Sequence, residues 1–258
     1  TRLQGDWSSD VCSSDLIGSS GGTSNLTLAG GVLGLTAASG DFTRGIGAGA
    51  GQVRWITDTV SGFAAFGSDR TVNFGGSATP ATVTWSNGTG VLGSGILLSD
   101  STSDATITIL NPIALNFINS PRTITVNNGT ADVDAVLAGA LSSLTTSGNG
   151  TRLIKNGSGT LALTAANNYI SGSSLPGTTI NAGTLMLGNG GSTGSLLYLS
   201  NASGITSDVT VASGATFALN RSDSGLVVAN TIIGAGQVRQ VGTGTTTLSG
   251  ANTYSGGT

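Results

Sequence analysis

Few side chains in this sequence could do chemistry. The 258-residue chain holds 12 acidic residues, all of them aspartate, and nine basic ones, Lys155 and eight arginines, with no histidine. Asp132 and Asp134 stand two positions apart, which would put both carboxylates on one side of a strand, and paired carboxylates can act as acid and base in glycoside cleavage. Asp100 with Asp104, and Asp69 beside Arg70, are the next candidates. Solvated polar residues near turns explain all three pairs without chemistry, and we read them so; replacing Asp132 or Asp134 by Asn is expected to cost little. Gly18-Ser19-Ser20-Gly21-Gly22 fits a nucleophile-elbow pattern, but Ser20 has no histidine base and no strand-to-helix pattern around it. Gly45-Ile46-Gly47-Ala48-Gly49 has the spacing of a phosphate loop, yet no amphipathic helix follows and the only lysine lies far away. Both read as turns. No stretch has the oxygen density that calcium needs. No catalytic, cofactor-binding or metal-ligating residue is therefore assigned, and no cofactor is expected.

Charged residues make up only 8% of the chain and the net charge is −3, which excludes the basic face of a nucleic-acid binder. Apolar runs such as Ile113-Ala114-Leu115 and Leu196-Leu197-Tyr198-Leu199 are far too short to span a bilayer, so no direct membrane insertion of this segment is expected. The N-terminus shows no export-signal pattern. Residues 1–16 differ in composition from the rest and hold Cys12, the single cysteine. Gly5-Asp6-Trp7-Ser8-Ser9-Asp10-Val11-Cys12-Ser13-Ser14-Asp15-Leu16 resembles a translated short-read sequencing adapter, so this segment is expected to be non-native. The remainder, residues 17–258, would then be cysteine-free and nearly neutral, without disulfides or thiolate chemistry.

The elements that must position these groups are strands. Runs of three to five residues with β-branched and aliphatic alternation, bounded by Gly, Asn, Asp or Ser, recur throughout, as in Ala105-Thr106-Ile107-Thr108-Ile109, Thr123-Ile124-Thr125-Val126, Thr160-Leu161-Ala162-Leu163 and Val209-Thr210-Val211. Scarce Lys and Arg and absent Glu argue against helices. The one stretch near helical spacing, Ala131 to Leu144, contains Gly139 and weak helix formers, and we read it as strand and turn. Strands this short are stable only when repetition of one unit buries them. Such a unit shows in a self-alignment offset by 85 residues, in which Gly157, Gly159, Leu163, Asn167, Tyr169 and Gly172 lie over Gly242, Gly244, Leu248, Asn252, Tyr254 and Gly257. At roughly 20 residues per coil this offset is about four turns, which would put both copies over the same part of the cross-section. The expected fold is all-β, a right-handed single-stranded parallel β-helix, and the chain reads as a fragment cut in mid-pattern.

At these residues the sequence resembles the autotransporter-associated β-strand repeat of bacterial passenger domains, approximately G-x-G-T-L-x-L-S-G-x-N-x-Y-S-G-G-T-x-I-x-x-G-T-L. One copy lies near 153–187, with Gly172 to Gly177 enlarging its middle loop, and the other near 238–258; together they cover about a fifth of the chain. The resemblance implies a structural or adhesive segment of a surface protein, displayed outside the cell and exported through the outer membrane by a C-terminal translocator barrel of the same polypeptide. Partners would be host or matrix surface glycans or proteins, with no nucleic acid. The alternatives are a β-helical polysaccharide-cleaving enzyme and an inert spacer. In a bacterial setting the Asn-x-Ser/Thr sequences at Asn25, Asn87, Asn128, Asn149, Asn156, Asn201 and Asn220 imply no glycosylation.

Each repeat position also has a reading independent of the resemblance. Leu161, Leu163, Leu185 and Leu187 would face inward. Gly157, Gly159, Gly242 and Gly244 would supply positive φ at corners. Asn167 and Asn252 would bond backbone groups in the corners or stack with an Asn in the next coil. Tyr169 and Tyr254 would cover an edge of the apolar column with the hydroxyl left in water.

Overall fold

A computed structural model describes residues 24–56, 58–85, 92–115, 121–143, 151–169, 176–197 and 207–258. The adapter-like segment, the Ser20 motif, Gly172, Asn87, Asn149 and Asn201 lie outside them. The described residues form strands joined by turns, bends and irregular corners, with no helix among them, and they wind as a parallel β-solenoid with three faces.

The first face is an eight-stranded sheet of Gly31–Thr36, Val60–Phe66, Gly95–Leu98, Arg122–Val126, Leu153–Asn156, Thr178–Ile180, Val209–Val211 and Ile232–Ile233. The second is a seven-stranded sheet of Arg70–Val72, Ile107–Ile109, Ala135–Leu137, Thr160–Leu163, Thr184–Leu187, Thr216–Leu219 and Gln237–Gln240. Shorter sheets form the third, including Val83–Trp85 with Ile113–Leu115 and Leu141–Ser143, and Leu226–Val228 with Thr246–Leu248. All strand pairs in these sheets are parallel, each strand pairing with its counterpart one coil on. Of the Ala131 to Leu144 stretch, Leu144 lies outside the described residues and the rest is bend and strand, with strands at Ala135–Leu137 and Leu141–Ser143.

Coil length departs from the expectation. Leu153 pairs with Thr178, 25 residues on, and Arg70 with Ile107, 37 residues on; only the last coils shrink to the 20 residues that separate Leu226 from Thr246. Extra residues between strands lengthen the earlier coils. The 85-residue offset is therefore not a whole number of turns. Leu153 lies in the first face, whereas its counterpart Val238 lies in the second, paired with Phe217. The two copies occupy neighbouring faces, not the same part of the cross-section.

Inward positions stack into one continuous core. Ile124, Leu153, Ile180, Val209 and Ile232 are buried along the first face, and Ile107, Ala135, Leu161, Leu185 and Phe217 along the second. At the start of the solenoid Phe42, Trp55, Phe63 and Phe74 meet in tilted and edge-to-face contacts, with Phe42 and Phe63 centroids 4.8 Å apart. Such pairs add about 0.5–1.5 kcal/mol each beyond burial. The second face departs from simple alternation: Val136, Ala162, Met186 and Ala218 stack in register between the inward rows and form a second buried apolar cluster.

Candidate functional site

The repeat corners hold the polar groups of the two copies, and they are built from the backbone outward. A corner must satisfy carbonyls that leave the ladder. Lys155, at the end of a first-face strand and fully buried, donates from Nζ to the carbonyls of Gly157 at 2.7 Å and Ala182 at 2.9 Å. Burial lowers its pKa from 10.5 to about 8, against the opposing pull of the Asp134 carboxylate. Its counterpart Gln240 donates from Nε2 to Gly242 at 3.0 Å and Gly244 at 2.9 Å. An amine and an amide thus clamp the same kind of corner.

The glycines of these corners are required for two different reasons. Gly157 has a φ of +79°, the conformation expected for it. Gly159, Gly242 and Gly244 do not share it. There a Cβ would lie 2.5 Å from the Asn127 carbonyl oxygen, 2.2 Å from that of Arg221 and 1.9 Å from that of Asp223. Close approach of successive coils excludes a side chain, which corrects the expectation of positive φ at all four positions.

Further along the repeat, Asn167 is buried. Its Oδ1 accepts from Leu141 N at 2.9 Å in the preceding coil, while Nδ2 donates to the carbonyls of Ala165 and of Ser195 in the next. Asn252 Oδ1 accepts from Ile232 N, also at 2.9 Å, one coil back. Tyr169 is buried, not wet: its hydroxyl bonds Thr178 Oγ1 at 2.8 Å, and burial pushes the phenol well above its ordinary pKa. Tyr254 makes the same bond to Thr258 at 2.6 Å. The partner threonine is nine residues from Tyr169 but four from Tyr254, so the enlarged loop of the first copy leaves this bond intact.

Four aspartates, two of them candidate acids, form a second corner device. Asp41, Asp69, Asp134 and Asp208 each accept the backbone N–H of a threonine one coil on: Thr71 at 2.8 Å, Thr106 at 2.8 Å, Thr160 at 2.8 Å and Thr231 at 3.3 Å. Asp134 also accepts from Gly129 N at 2.6 Å and is buried, whereas Asp132 is exposed. The two are not a solvated pair on one strand; they sit in the bend before Ala135–Leu137, and Asp134 holds two coils together. The expectation that Asp134→Asn costs little is therefore withdrawn. Asp104 accepts from Gly67 N at 2.6 Å, and Asp100 caps its own turn through Thr102 N at 2.9 Å. Asp69 and Arg70 diverge: the guanidinium of Arg70 lies 3.8 Å from Asp41 and bonds Ser68 Oγ.

The other motifs resolve into packing. In the Gly45 to Gly49 loop Gln52 Oε1 takes the Gly49 N–H at 2.8 Å, and Asn25 Nδ2 donates to the carbonyls of Gly47 and Gly49, so the loop closes on its own chain. Beside it lies an open depression of about 290 Å³ lined by Gly45, Ile46, Phe74, Gly75 and Thr82 to Thr84, without a charged group. Among the described residues no three acidic or sulfur ligands cluster as a metal site. Arg122 is buried with its guanidinium 5.7 Å over the Trp85 ring, and burial lowers its pKa. Sequence reasoning missed the Lys155 clamp, although the self-alignment places Lys155 over Gln240, two long donors at one position.

No curated protein and no solved structure matches the chain. A family model described as "Passenger-associated-transport-repeat" matches residues 153–187 and 238–258, the two segments whose corners share these bonds. The chain is a parallel β-solenoid in which two segments are similar to the passenger-associated transport repeat.

Proposed function

We propose that this chain is a structural passenger segment displayed at the bacterial cell surface, delivered there by a C-terminal translocator barrel of the same polypeptide, and that it works as a stalk or adhesive surface without catalysis. The observation that carries the reading is the use of the polar groups. Asp41, Asp69, Asp104, Asp134, Lys155 and Asp208 are bonded to backbone of their own or neighbouring coils, so these six side chains serve coil closure. The repeat match supports passage through the outer membrane. Host or matrix glycans and proteins are the ligands such a surface would meet.

Two measurements test this. Incubated with pectin-like and other acidic glycans, the chain should release no reducing ends; release that disappears in Asp132→Asn would establish the polysaccharide-cleaving alternative. Fused ahead of a translocator barrel in a Gram-negative host, it should become sensitive to protease added to intact cells. Retention inside the cells would contradict the display reading.

A further inference from the structure

Asn-Gly sequences can rearrange without an enzyme: the glycine nitrogen attacks the asparagine Cγ, and the barrier is set by how the side chain lies over that nitrogen and by what takes its proton. Two Asn-Gly pairs with an exposed asparagine are described, and the fold treats them differently. At Asn128-Gly129 the Asn128 side chain folds forward over the next peptide, with Nδ2 3.1 Å from the Gly129 carbonyl oxygen. The Gly129 N–H points at a carboxylate, Asp134 Oδ1, at 2.6 Å. Asp134 is itself fixed through Oδ2 by Thr160 N at 2.8 Å. At Asn189-Gly190 the Gly190 N–H is tied instead to the Asn220 carbonyl at 2.9 Å, a neutral group that takes no proton. Asn156-Gly157 is a third pair, but its asparagine is half-buried and held through Oδ1 by Asn181.

We propose that Asn128 is a self-modification site, deamidated by water in the folded protein with Asp134 as the general base. Gly129 N passes its proton to Asp134 as the N–Cγ bond forms. The Cγ–Nδ2 bond then breaks, and Nδ2 takes that proton and leaves as ammonia. The product is a five-membered succinimide. Water adds to either ring carbonyl, opening the ring to aspartate or to isoaspartate, in which the main chain runs through Cγ. Either product places a new carboxylate in the turn that Asp134 holds. The isoaspartate also lengthens the backbone where Gly129 packs so closely on the preceding coil that a Cβ would sit 2.1 Å from the Ser103 carbonyl oxygen. The corner is thereby loosened by age alone.

The test follows both pairs by peptide mapping and mass spectrometry in the full chain, kept at mildly alkaline pH either folded or unfolded in urea. In the folded chain Asn128 should lose ammonia faster than Asn189 by roughly a hundredfold, the low end of what a positioned base contributes. In urea, where Asp134 no longer faces Gly129, the two should react alike. A folded chain in which Asn128 reacts no faster than Asn189, or an excess at Asn128 that persists in urea, would overturn the assignment. Asp134→Asn should bring Asn128 down to the rate of Asn189, and the urea comparison stands whether or not that variant folds.

Discussion

At the scale of single residues, Lys155 ties local geometry to a pH dependence. Its pKa falls from 10.5 in an open chain to about 8 in the fold, because burial disfavours the ammonium. Below pH 8 both states carry the proton and the fold bears the full cost of the buried charge. Between pH 8 and 10.5 the unfolded chain binds more protons than the folded one, so stability rises with pH, by up to about 3 kcal/mol. Tyr169 acts oppositely above pH 10, where its phenol ionises in the unfolded chain but not in the fold. Urea midpoints across this range should climb and then fall back, and Lys155→Gln, which copies Gln240, should remove the climb. Asp134 gives a second residue-scale prediction: Asp134→Ala leaves the Gly129 and Thr160 N–H groups without their acceptor and should cost about 1–3 kcal/mol, while Asp132→Asn stays within about 0.5 kcal/mol. Denaturation of the two variants side by side would show it. The position of Asp134 was legible only in part. Its pairing with Thr160 depends on coil length, which local sequence does not state.

At the scale of elements, the two copies share a strand, a glycine corner and a second strand, laid over the first and second faces in one copy and over the second and third in the other. Strand runs such as Arg122–Val126 and Thr160–Leu163 were legible because each alternates or carries a dense aliphatic signal between turn residues. Val60–Phe66, the longest strand among the described residues, was not, because Gly62 and two alanines interrupt its alternation; Gly62 is there for close packing, since a Cβ would lie 1.8 Å from the Leu97 carbonyl oxygen. The two reasons for glycine separate under substitution. Gly244→Ala must push the Asp223 backbone away and should cost about 1–3 kcal/mol by overpacking. Gly190→Ala meets no atom within 4 Å and bears only its φ of +82°, an αL strain at the low end of about 1–3 kcal/mol. Equal losses in thermal denaturation would refute the distinction. Leu163→Ala, deep in the second face, should lose about 2–5 kcal/mol through lost burial and a cavity.

At the scale of the whole molecule, stability comes from registration of each coil on the last, and Asp69, Asp104 and Asp134, three of the side chains that looked like chemistry, are among the clamps that set it. Fold class was legible in the sequence because repetition and short strands leave few alternatives. The phase of the two copies was not, because loops of unequal length separate them. Double cysteine variants in a Cys12→Ser background test register and phase together. Adjacent strands lie about 4.8 Å apart, within the span a disulfide bridges. Thr216 and Gln237, directly paired on the second face, are half-buried and exposed respectively. Under mild oxidation Thr216→Cys with Gln237→Cys should close a disulfide in the folded chain, and Thr210→Cys with Gln237→Cys should stay open, because Thr210 belongs to the first face. Closure of the Thr210 pair and not the Thr216 pair would put the second copy back over the first and contradict the three-faced register described above.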